Sequence, residues 1–203
     1  MSYFLQGLTM GLAYVAPIGL QNLFVINSAL THPRRRALLT ALIVIFFDVT
    51  LALACFFGIG AVMQRYEWLQ LLVLFAGSLI VIYIGIGLLR SKVEELEKTE
   101  IDPSIWKTIS SACVVTWFNP QAIIDGTMML GAFHVTLAPP QSAPFISGVA
   151  AASCIWFSGL TLVISIFSSK FNVKTLRVIN LISGVVVIFY GTRLFLNFLS
   201  MAV

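Results

Sequence analysis

Two acidic residues stand where a charge is costly. Asp48 is the only charged residue in the stretch 37–64, and Asp125 is the only one in 108–169. An Asp at the centre of a membrane helix costs roughly 2.5–3.5 kcal/mol on insertion scales. Such a residue lines a cavity, relays protons, or bridges helices. Two prolines lie equally deep in apolar runs, Pro17 and Pro120, and each removes a backbone donor and clashes with the carbonyl one turn back. Gly19 loosens the first of these places further, and the amides Gln21, Asn22, Asn119 and Gln121 flank the pair. Broken helix at membrane depth is tolerated only where it is buried in protein or lines a cavity. Carboxylates, amides and freed backbone groups together favour a small cation, and the carboxylates can exchange it for protons. No metal or organic cofactor is expected: Cys55, Cys113 and Cys154 read as packing residues, and His32 and His134, near helix ends, lack partners at ligand spacing.

These residues need helices to hold them, and the composition says which kind. Of 203 residues, 59% are hydrophobic and 10% charged, against about 25% charged in a soluble domain. Mean hydropathy is +0.99. A chain this small cannot hide so much apolar side chain in a core. A soluble enzyme, a nucleic-acid binder and a disordered protein are excluded, leaving an integral membrane protein partnered by the lipid bilayer. The runs lack the alternation of a barrel, so the spans are helical. Six are expected, near 3–30, 37–63, 69–90, 106–134, 144–168 and 177–199, with the turn signal Pro139-Pro140 dividing the fourth from the fifth. No Lys or Arg precedes the first apolar run, and it is too long for the core of a cleaved signal.

The isoelectric point of 9.2 reflects loops held on one side. Arg34, Arg35, Arg36, Arg90, Lys92, Lys98, Lys107, Lys170, Lys174 and Arg177 are ten of the twelve basic residues, and all fall on one face. The positive-inside rule then puts both termini outside. Glu94, Glu95, Glu97, Glu100 and Asp102 share the 3–4 loop with lysines, as a solvated run does. Arg193 either pairs with an intramembrane Asp or snorkels to the outer interface.

The chain also repeats itself. Residues 15–22 align with 118–125, 46–50 with 156–160, and 81–85 with 187–191. Three spans per half is an odd number, so the second half runs inverted. The expected fold is all-α integral membrane, with six transmembrane helices as two inverted three-helix repeats, 1–95 and 96–203. Secondary transporters are built this way, with the site where the halves meet. Gly148, Ala151, Ala152 and Ser153 permit close helix contact, within the chain or in a homodimer. Within transport, export of a neutral amino acid or another small cation is the alternative. An intramembrane aspartyl enzyme and a membrane scaffold are the rival classes. The first lacks its Gly-rich setting, and the second needs neither broken helices nor membrane carboxylates.

The motifs resemble a known family. Tyr3-Phe4-Leu5-Gln6-Gly7-Leu8 and Pro17-Ile18-Gly19-Leu20-Gln21-Asn22-Leu23-Phe24-Val25 resemble the opening of the LysE exporters, closest to the branch for lysine and arginine. Thr116-Trp117-Phe118-Asn119-Pro120, with Asp125 after it, resembles that branch's second signature, and Trp156-Phe157-Ser158-Gly159-Leu160 its helix-5 segment. The resemblance implies export of amino acids from a bacterial cytoplasm through the inner membrane, driven by the proton motive force. By motif match it carries over Pro17, Gly19, Gln21, Asn22, Asp48, Asn119, Pro120 and Asp125 as pathway residues. The chain departs from the pattern at Leu20, where the family has proline, and at Gln121-Ala122-Ile123-Ile124, where basic-amino-acid exporters carry a histidine and a tyrosine.

Overall fold

A computed structural model describes residues 2–17, 19–58, 66–90, 104–167 and 173–202. Ile18, Arg65, the charged run at 92–102 and Lys170 lie outside the described residues. Those described are helical, with no strand among them. The helices are α1 (Tyr3–Val15), α2 (Leu20–Thr31), α3 (Arg34–Phe56), α4 (Glu67–Arg90), α5 (Ile105–Trp117), α6 (Pro120–Gly126), α7 (Ala132–Thr136), α8 (Pro139–Phe167) and α9 (Val173–Ala202), with a π turn at Thr127–Gly131 between α6 and α7. Among the described residues α3 and α8 are long and apolar enough to cross a membrane, and α1 with α2 makes a third if the bent pair is one span. Large apolar side chains point outward along them, including Leu42 and Phe46 on α3 and Ile155, Val163 and Ile166 on α8. In lipid such a surface is at home, and in water it would aggregate.

Both proline-bearing segments are broken. α1 and α2 meet at 77°. Pro17 has no N–H to continue α1, and Gly19 is extended (φ −127°, ψ −169°) as the N-cap of α2. Gly19 is not there for want of room, since an added Cβ would meet only Pro17 O, at 4.0 Å. In the second case Asn119 precedes a proline and is pushed to extended backbone (φ −97°, ψ 98°), which ends α5, while Pro120 takes the first position of α6. The span expected at 106–134 is thus four short pieces, and the π turn in it has no signature in the residues.

Pro139-Pro140 differs from the expected turn: it opens α8. Proline suits the first helical turn because its missing donor is one the turn leaves unpaired. Gln141 Oε1 reaches back to accept from Ala138 N at 3.0 Å, closing the end.

Glycine decides how the helices pack. α1 lies against α8, and at Gly7 and Gly148 each backbone meets the other directly. A Cβ on Gly7 would run into Phe145 O, and one on Gly148 would lie 2.7 Å from Leu8 N. Gly11 faces Ala152 one turn on, with only 2.7 Å from its ideal Cβ to that of Ala152. The small residues of α8 therefore pack within the chain. α4 lies on α9 in the same manner, Gly85 against Gly184. The remaining large pairings are α3 with α8 and α3 with α5, while α2 touches α3, α5 and α8. A core of Val15, Val25, Val44, Ala112 and Phe157 fills the space between them.

Candidate functional site

Asp48 sits at mid-length in α3 and is 0% exposed. Each carboxylate oxygen accepts from a neutral side chain on another helix. Gln21 Nε2, in the first turn of α2, donates to Oδ1 at 3.0 Å. Ser153 Oγ, on α8, donates to Oδ2 at 2.6 Å. Gln21 Nε2 also donates to Thr116 Oγ1 on α5 at 3.1 Å. Four helices therefore converge on one carboxylate, and Thr116 and Ser153 are themselves fully buried. Hydrogen bonds to an ionised group are stronger than neutral ones, and a buried carboxylate without them would be strongly disfavoured.

Asn22 has a different task. Because Gly19 is extended, Val15 O at the end of α1 has no helical N–H, and Asn22 Nδ2 donates to it at 3.0 Å and to Pro17 O, in the break itself, at 2.8 Å. Its Oδ1 accepts from Trp156 Nε1 at 2.7 Å. Asn22 thus holds the break of helix 1 shut against α8, and its polar atoms face backbone and Trp156. Trp156→Phe would keep the ring and strand a buried acceptor, which costs about 1–3 kcal/mol. Thermal unfolding in detergent should show that loss, and an unchanged midpoint would contradict this role for Trp156.

The second break lies beside the first. Tyr14 Oη on α1 donates to Ala122 O at 3.5 Å. An added Cβ on Gly126 would lie 3.3 Å from Tyr14 Cε2 and 2.8 Å from Cys55 Sγ. Asp125 occupies the second turn of α6, half-buried, two residues before the π turn. Tyr14 lies within electrostatic reach of both Asp48 and Asp125. Such π insertions in otherwise regular helices are frequent at functional sites. Trp117 Nε1 donates to Thr50 Oγ1 at 3.3 Å, tying the end of α5 to α3 just past Asp48.

Of the residues expected to form a site, Gln21 and Asp48 are in direct contact, and Asn22 lies at the same helix start. Asn119 is buried at the second break, and Gly19 and Pro120 are backbone features of the two breaks. Pro17 is exposed apart from its carbonyl bond to Asn22, and Arg193 is exposed on α9. Ser153, Thr116, Trp156 and Tyr14 complete the polar network, and residue type alone does not single them out as polar partners. Cys55 is buried, but Cys154 lies on the exposed face of α8 beside Ile155, so it is not the packing residue expected. His134 packs edge-on against Phe56 and Phe57, at ring separations of 4.9 and 5.5 Å. Phe57 and His134 line an apolar cavity of ≈ 730 Å³ between the end of α3 and the start of α8, with Leu137, Pro139 and Ile146. Asp48 does not line that cavity. Among the described residues no cluster of His, Cys, Asp and Glu is suited to a metal.

Comparison with known proteins decides the class of the protein. The model of the family described as LysE type translocator matches residues 12–197. The chain belongs to the LysE family of translocators. An arginine exporter protein, ArgO, of Salmonella schwarzengrund (strain CVM19633) is 34% identical to this translocator over 190 residues, 91% of this chain and 89% of that protein. The proteins of the same name from Salmonella enteritidis PT4 (strain P125109) and Salmonella gallinarum (strain 287/91 / NCTC 13346) are 33% identical over the same length. No solved structure matches it. The translocator is a membrane protein and a transporter, not an enzyme, which sets the aspartyl-enzyme reading aside.

Proposed function

We propose that this translocator exports basic amino acids, arginine foremost, from the bacterial cytoplasm across the inner membrane, in exchange for protons. The observation that carries the reading is a fully buried carboxylate, Asp48, at the meeting point of two broken helices. The likeness to proteins named arginine exporters supports the substrate. A buried anion in the pathway selects cations, and a guanidinium can offer one donor to each carboxylate oxygen. Asp48 and Asp125 hold the positive groups of the substrate. The amides at the start of α2, with Gln21 and Asn119, hold its carboxylate, and Asn22 keeps that helix start in place. A proton taken up by an Asp weakens its grip on the cation and drives release.

The architecture we propose is six spans in two inverted repeats, 1–95 and 96–203, with both termini outside. The helix pairings support it: α1 on α8 matches α5 on α3 under exchange of the halves, while α3–α8 and α4–α9 each map onto themselves. The two breaks, after Val15 and after Trp117, also correspond.

The test is release from proteoliposomes loaded with labelled arginine, lysine or leucine. Arginine and lysine should leave at least about tenfold faster than leucine, since an uncharged side chain offers the carboxylate no charged donor in place of Gln21 and Ser153. Equal rates for all three would overturn the assignment of a cationic substrate.

A further inference from the structure

Each donor on Asp48 has a second acceptor within reach. Ser153 Oγ lies 2.6 Å from Asp48 Oδ2, and Val149 O, one turn back on its own helix, lies at 3.4 Å. Gln21 Nε2 lies 3.0 Å from Asp48 Oδ1 and 3.1 Å from Thr116 Oγ1. A cation arriving at the carboxylate leaves the serine hydroxyl free to turn to Val149 O, while Gln21 keeps one N–H on Thr116 and turns the other from Asp48 to the substrate's carboxylate. When a proton displaces the cation, both side chains swing back onto Asp48. The hydroxyl also fits either protonation state of Asp48. It donates to a carboxylate, or it accepts from a carboxyl and passes its own hydrogen to Val149 O.

We infer that Ser153, assisted by Gln21, takes the substrate's place on Asp48 and so lets the substrate-free, protonated carrier return through a closed form. Ser153 is then a positioning residue of the return step, and Thr116 sets how readily Gln21 gives way. The inference rests on the proposed export of a cation at Asp48. A transporter whose carboxylate had fixed neutral partners, without these alternatives, would lose hydrogen bonds at every binding event. Here the exchange of partners is close to balanced, and Ser153 and Gln21 sit on opposite sides of the carboxylate, on helices α8 and α2 from the two halves of the chain.

Two transport modes separate this role from a structural one. Net efflux into amino-acid-free buffer needs the unloaded carrier to return, whereas exchange against external unlabelled arginine does not. In proteoliposomes, Ser153→Ala should raise the ratio of exchange to net efflux roughly tenfold, the factor for one lost hydrogen bond to a charge. It should also lower the KM for arginine, because a competitor for Asp48 is gone. Thr116→Val, of matching volume, should raise that KM several-fold, because Gln21 then has only Asp48 to bond. Equal loss of both modes in Ser153→Ala, or KM shifts of the same sign in the two variants, would overturn the inference. If Ser153→Ala does not reconstitute, the KM of Thr116→Val decides alone: an unchanged or lowered value overturns it. Wild-type protein that moves no basic amino acid in either mode overturns the substrate reading, and this inference with it.

Discussion

Asp48→Asn is expected to abolish arginine export while leaving the protein folded. The amide keeps the shape of the carboxylate. Its Oδ1 still accepts from Gln21, and its Nδ2 donates to Ser153 Oγ, whose hydrogen turns to Val149 O within 3.4 Å. Hydrogen bonding is conserved, so stability should change by no more than ~1 kcal/mol. The charge is lost, however, and with it the partner of a desolvated cation. Removing one member of a buried charge pair costs about 2–5 kcal/mol, so export should fall at least roughly 30-fold. Cells expressing the variant should accumulate arginine as transporter-free cells do, with wild-type amounts of protein in the membrane. Normal export by a well-expressed variant would remove Asp48 from the pathway.

The largest loss of stability is expected at the crossing of α1 and α8. Gly148→Val places a branched side chain against Leu8 N, 2.7 Å from the ideal Cβ, and against the carbonyl of Phe4. The obstacles are backbone, so no change of rotamer relieves them and the helices must part. Overpacking of this kind costs about 1–3 kcal/mol in ordinary cores. Here it also pulls Ser153 from Asp48 and Trp156 from Asn22, since both donors ride on α8. A loss above ~3 kcal/mol, seen as little folded protein in detergent, follows. Gly159→Ala on the same helix is the control, because nothing lies within 4 Å of an added Cβ there. It should melt with the wild type or slightly above it, as alanine favours helix by ~1 kcal/mol over glycine. Equal behaviour of the two variants would contradict the packing described.

What the residues reveal unaided, and what they conceal, follows from the physics of apolar helices. Asp48 is legible because one charge in a long apolar run has few reasons to be there. The breaks are legible because Pro17 and Pro120 each remove a backbone donor deep inside an apolar run, unlike Pro144, which α8 accommodates near its start. Ser153 and Thr116 are not, because hydroxyls in such helices commonly bond their own carbonyls one turn back, as Thr161 does with Phe157 O at 2.7 Å. No local pattern says which hydroxyl crosses to another helix, and Ser153 meets Asp48 across 105 residues of chain. The role of Asn22 depends on a second fact, that Gly19 is extended and leaves Val15 O without a helical donor. Pro139-Pro140 has two outcomes from one chemistry, since a missing N–H suits both a turn and a first helical turn. The small residues of α8 similarly serve any close partner. Only the position of Gly7 and Gly11 opposite Gly148 and Ala152 makes that partner α1.

The most direct test of the account is arginine flux through the purified protein in liposomes under an imposed pH gradient, compared between wild type and Asp48→Asn. Gradient-dependent arginine flux is expected in the wild type, and flux at the level of protein-free liposomes in the variant. Arginine flux that ignores the gradient would contradict the exchange for protons. Equal flux in the two proteins would contradict the central role of the buried carboxylate.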